Sequence, residues 1–126
     1  MDAENDDALW NRAKELLRHH QKSDDPTPVD ALNRLLHEAA PEASSIRLSE
    51  ANCRIVLESW LMKKLAGLRR RHDRATPKDE GCPILVVCWR GKQYLIDGGN
   101  RINKWVKEKN EGSHAVLVMM LAEEST

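Results

Sequence analysis

The feature that most constrains this chain is an uninterrupted apolar run, Pro83-Ile84-Leu85-Val86-Val87-Cys88-Trp89. A run of that length, rich in β-branched residues, is typical of a strand covered on both faces. Arg90-Gly91-Lys92 supplies a tight turn, and Gln93-Tyr94-Leu95-Ile96 returns as the second arm of a hairpin. Asp97-Gly98-Gly99-Asn100-Arg101 then forms a sharp joint into a helix carrying Ile102, Trp105 and Val106 on its apolar side. Asn110 and Gly112 are suitable breakers for that helix, and His114 to Leu121 reads as a last apolar strand.

Upstream, Leu9, Ala13, Leu16 and Leu17 recur at helical spacing, which predicts an amphipathic helix over 4–22. Thr27-Pro28-Val29-Asp30 is a helix start: Thr27 caps, Pro28 takes the first position and Asp30 reaches back. Ala31, Leu32, Leu35 and Leu36 give the second helix its apolar face, and Pro41 ends it. Ile46-Arg47-Leu48 alternates like a short strand, and Ser49 is placed to cap a third helix. Ile55, Val56, Trp60, Leu61, Leu65 and Leu68 are its apolar positions, and Arg69 to Arg74 finish it. The expected order is two helices, then strand, helix, hairpin, helix, strand. That is an α+β protein: an acidic helical extension over residues 1–45, and a domain over 46–126 with a small mixed sheet and packed helices.

Charge supports that division. The chain has 20 Lys+Arg against 20 Asp+Glu, which argues against a uniformly basic nucleic-acid binder. Residues 1–45 nevertheless hold 5 basic and 10 acidic side chains, and residues 46–126 hold 15 basic and 10 acidic. An asymmetry of this kind says more than the total. It suggests that the acidic segment covers or regulates an anion-binding face. Cys53, Cys82 and Cys88 include no C-x-x-C pair, and the five histidines share no ligand spacing with them, so no metal site is assigned. The lack of a secretory or membrane-spanning stretch gives an expectation of a cytoplasmic protein with no membrane partner.

The joint at 97–101 is the leading candidate site. Glycine admits positive φ and close approach of a ligand, and the first turn of a helix offers unpaired N–H groups and a positive dipole end. Arg101 in that turn could add a bidentate contact to a phosphate. The competing reading is a tight connection with no ligand. Asp97 is a candidate metal ligand, water-orienting group or tentative catalytic residue, with Asp79 and Glu80 as further carboxylates. Equally, Asp97 could serve only the turn's own N–H groups. Lys63, Lys64, Arg69, Arg70, Arg71 and Arg74 form a basic cluster, readable as a complement to a helix dipole or as a nucleic-acid or nucleotide surface. Trp60 and Trp105 are read as core; Trp89 is a candidate stacking platform, with core packing favoured.

The segment from Ile46 to Leu121 resembles the ParB/sulfiredoxin-like fold family. Ile84 to Val87 are similar to its "P-I-x-V" strand, Tyr94-Leu95-Ile96-Asp97-Gly98 to its "Y-x-L-I-D-G" strand, and Gly98-Gly99-Asn100-Arg101 to its G-x-x-R loop. The resemblance implies that Gly98, Gly99, Asn100 and Arg101 hold the phosphates of a nucleotide, often with Mg2+. It thereby implies a nucleotide- or DNA-binding protein of bacterial or plasmid type, with nucleoside triphosphate or DNA hydrolysis among the fold's activities. True sulfiredoxins carry a catalytic cysteine in this loop; here that position is Gly99, so sulfinic-acid reduction is not expected. Partition proteins continue into a helix-turn-helix domain, which does not follow here before Thr126. The alternative is a non-enzymatic protein-interaction module, such as a plasmid or phage inhibitor or an immunity protein.

Overall fold

In the computed structural model, residues 6–69 and 82–121 are described. Two helices, α1 (Asp6–Arg18) and α2 (Pro28–Ala39), lead into a single 3-10 turn at Pro41–Ala43. Strand β1 (Cys53–Leu61) and the short helix α3 (Met62–Ala66) follow. The hairpin is β2 (Ile84–Trp89) and β3 (Lys92–Asp97), followed by α4 (Gly99–Lys107) and β4 (Ser113–Leu121). The four strands form one mixed sheet in the order β1-β4-β2-β3, with β2 and β4 parallel and the other pairs antiparallel. The class is α+β.

Period-two alternation sorts the sheet's side chains into two cores. Leu85, Val87, Trp89, Leu117 and Met119 point to one face, where they pack with Leu9, Trp10, Leu17, Leu32 and Leu36 of α1 and α2. Ile84, Val86, Val116 and Val118 point to the other, against Met62 and Leu65 of α3 and Ile102 and Trp105 of α4. The central strands β2 and β4 are thus covered on both sides, which is why their sequences are continuously apolar. Helices α1 and α2 supply one layer over this face of the sheet.

The hairpin closes at Arg90 (φ 49°) and Gly91 (φ 76°), two consecutive left-handed residues that match the twist of the flanking strands. The start of α2 follows its sequence signal. Thr27 Oγ1 accepts from the Asp30 N–H at 3.2 Å, and the Asp30 carboxylate accepts from the Thr27 N–H at 3.1 Å.

Three expectations fail. Ile46–Leu48 is not a strand: Leu48 is buried, and its backbone is satisfied by one side chain. The Leu48 N–H donates to Asn33 Oδ1 at 2.7 Å, and Asn33 Nδ2 donates to the Leu48 carbonyl at 2.9 Å. Ser49 does not cap a helix either. Its N–H donates to Asn52 Oδ1 at 2.8 Å, closing a local turn before β1. The expected third helix is a strand over Cys53–Leu61, fully paired with β4 from Cys53↔Leu121 to Leu61↔Ser113, and only Met62–Ala66 is helical. Expected order of element types therefore stands, while the first strand starts at Cys53 instead of Ile46 and the helix shrinks to Met62–Ala66.

Candidate functional site

The joint after β3 is built by three local facts. Gly98 has φ 119°, a conformation that only glycine adopts without strain. A Cβ at this position would overlap Ile84 Cδ1 and stand 3.2 Å from Arg101 Nη2, so close packing also requires glycine. The Ile102 N–H donates to the Gly98 carbonyl at 3.0 Å, so α4 begins directly from the turn. Gly99 is buried and Asn100 exposed at the first positions of that helix.

Arg101, one turn on from Asp97, points inward. Its Nη2 donates to Asp97 Oδ2 at 3.0 Å and to the Pro83 carbonyl at 3.3 Å, and its Nη1 donates to the Cys82 carbonyl. The other carboxylate oxygen, Asp97 Oδ1, lies 2.5 Å from His20 Nε2. Side-chain exposures are 3% for Asp97, 7% for Arg101 and 14% for His20. His20 is delivered by the N-terminal layer. Its N–H donates to the Leu17 carbonyl at 2.9 Å, and its own carbonyl accepts from Arg34 Nη2 at 2.7 Å. Arg34 also binds Asp25, whose carboxyl is held below its ordinary range by that guanidinium first and by the Lys22 N–H second.

The structure thus brings Asp97, Gly98, Gly99 and Arg101 together, but around an internal ion pair. A phosphate reaching Arg101 would have to replace the Asp97 carboxylate and two carbonyls. Asp97 has a guanidinium on one oxygen and an imidazole on the other, a setting that does not fit a protein-held Mg2+. Among the described residues, no three His, Cys, Asp or Glu side chains gather as a metal site. Sequence reasoning did not single out His20, which lies 77 residues from Asp97.

The basic cluster has a different setting. Lys63, Lys64 and Arg69 line a groove of about 1080 Å3 together with Lys92, Gln93, Tyr94 and Leu95 of the edge strand β3. Glu38 and Glu42 of the acidic N-terminal segment line the same groove. Both carboxylates are engaged: Glu38 accepts from Arg34 Nη1 at 3.2 Å, and Glu42 accepts from the Tyr94 hydroxyl at 2.8 Å. The carboxyl of Glu42 is held low by its own backbone N–H and then by Tyr94, while burial, followed by Glu42, raises the phenol of Tyr94. Lys64 Nζ lies 3.9 Å from the centre of the Trp60 ring, a cation–π contact that anchors one side of the groove. Arg70, Arg71, Arg74, Asp79 and Glu80 lie outside the described residues.

The tryptophan candidates and Cys53 are core, while Cys82 and Cys88 are half-buried. Trp89 is 4% exposed, and Arg90 Cζ sits 4.6 Å from its ring centre, so the ring already carries a stacked cation. Trp60 is core but on a strand, and Trp105 stacks on His114 at 3.6 Å. Burial pushes the Cys53 thiol up to about 12, which makes it inert at neutral pH. No helix among the described residues is long and apolar enough to cross a membrane. Comparisons with family models, with curated proteins and with solved structures give no match.

Proposed function

We propose that this protein binds a phosphate-bearing ligand of the nucleotide class in the groove along β3, with the joint at 97–101 acting as a structural brace. The observation that carries this reading is the convergence of Lys63, Lys64, Arg69 and Lys92 on one concave surface. Four cations face two carboxylates that are already committed to Arg34 and Tyr94. The remaining field is positive, and it lies in a cleft of the size small-molecule ligands occupy. Tyr94 and Leu95 supply apolar surface for a base or sugar, and the lysines supply phosphate contacts. The resemblance of the 84–101 segment to the ParB/sulfiredoxin-like pattern belongs to the same reading, as does Mg2+, carried on the triphosphate rather than by Asp97. The reading is of binding, with no hydrolytic step assigned.

Titration calorimetry with ATP, in the presence and absence of Mg2+, tests it. Saturable binding is expected, weakened about tenfold or more by Lys64→Ala combined with Arg69→Ala. A duplex DNA arm distinguishes the source of the phosphate: DNA binding would be steeply salt-dependent and would survive competition by ATP poorly. Absence of binding to either, or equal binding by the double variant, would overturn the proposal. A second reading, a protein-interaction module, is favoured by one observation: Leu57 and Leu61 are exposed on the edge strand β1.

A further inference from the structure

The sheet has two edges, and they differ. Strand β3 is six residues long, carries Lys92 and pairs with β2 through a bulge between Leu85 and Val86. Those are devices that discourage further pairing. Strand β1 has no bulge, and its two exposed charges, Arg54 and Glu58, are of opposite sign. It is nine residues long, contains no proline or glycine and keeps one unbroken register with β4. Its second side has no strand partner among the described residues. Leu57 is 42% exposed and Leu61 65% exposed on it.

The sequence of β1 is complementary to itself when run antiparallel. With Val56 opposite Val56 of a second copy, Arg54 falls opposite Glu58, and Glu58 opposite Arg54. The same register sets Ile55 opposite Leu57 and Cys53 opposite Ser59 on the other face. Two opposite-charge cross-strand pairs form, and each exposed Leu57 gains an apolar neighbour. Glu58 is already oriented: Trp60 Nε1 donates to its Oε1 at 2.7 Å. Arg54 is exposed, and a guanidinium has donors enough to serve its own chain and a facing carboxylate together.

We infer that β1 is a homodimer interface, in which two copies join edge to edge about a two-fold axis at Val56 to make one continuous eight-stranded sheet. An isologous contact of this kind is the commonest form of self-assembly; β3 is the opposite edge of the sheet, and Leu61, the end of β1 that also lines the groove, falls outside the paired residues 53–59. It is independent of what the groove binds.

Sedimentation over a concentration series tests it. The wild type is expected to dimerise. Arg54→Glu alone and Glu58→Arg alone each set like charges opposite one another and weaken the dimer by about tenfold or more. The double exchange Arg54→Glu with Glu58→Arg restores it. Because each reversal could also perturb folding, a second measurement uses oxidative cross-linking. Val56→Cys is expected to form an intermolecular disulfide, and Leu61→Cys, which the register sets opposite residue 51, is not. A monomeric wild type at all concentrations, no rescue by the double exchange, or equal cross-linking at both positions would overturn the inference.

Discussion

Gly98 shows how one residue can look like a ligand site and be a packing solution. Its positive φ and the close approach of Ile84 both demand the absence of a side chain. The same glycine would suit a phosphate, and only the position of Arg101 separates the two. An Asp and an Arg four apart across a strand–helix joint can meet, and here they do, at 3.0 Å and almost fully buried. A buried pair is costly to break, because the surviving partner keeps its desolvation penalty. The spacing of Asp97 and Arg101 was visible in the sequence, but the third member was not. No local pattern connects His20 to a carboxylate 77 residues away. Gly98→Ala is expected to cost about 2–3 kcal/mol from strain and overlap. Adding Ile84→Val, which removes the overlapping Cδ1, should recover part of the loss. Urea denaturation of the two variants measures both; full stability of Gly98→Ala would contradict the packing role.

Elements were legible where local chemistry and tertiary packing agree. The start of α2 could be read directly, since Thr27, Pro28 and Asp30 form a capping box that acts within one turn. The hairpin was readable because Arg90-Gly91 can take two left-handed conformations between apolar runs. Strand β1 was not readable, and the reason is its two-sided burial. Cys53 and Ile55 serve one core, while Val56 and Trp60 serve the other. The apolar positions therefore follow neither strict alternation nor a helical face, and continuation into the helical Met62–Ala66 completes the resemblance to one long helix. Leu48 was misread for a related reason: its backbone partner is Asn33, a side chain 15 residues away. Thr27→Ala removes one half of the capping box and should lower stability by about 1 kcal/mol, with little effect on ligand binding. Thermal unfolding of the variant, with ATP titrated in parallel, checks both parts.

At the scale of the whole molecule, the division of charge was legible and its geometry was not. An acidic first segment and a basic remainder suggested a covering layer. The layer is real in the sense that α1 and α2 pack on one face of the sheet. Among the described residues, Glu38 and Glu42 are the acidic residues of the segment that line the β3 groove with the basic cluster. Other charges of the segment pair elsewhere: Arg34 with Asp25 inside it, and Asp30 with Arg47 and Lys14 with Glu50 just across its boundary. The anion site we propose therefore lies in the groove, where lysines and an arginine outnumber the engaged carboxylates, rather than at the glycine–arginine joint, where a carboxylate already occupies the guanidinium. Residue-resolved NMR with ATP and Mg2+ separates these two places most directly. The account predicts saturable amide shifts at 63–69 and 92–95, with Gly98, Gly99 and Arg101 unmoved; shifts centred on 98–101 and absent from the groove would contradict it.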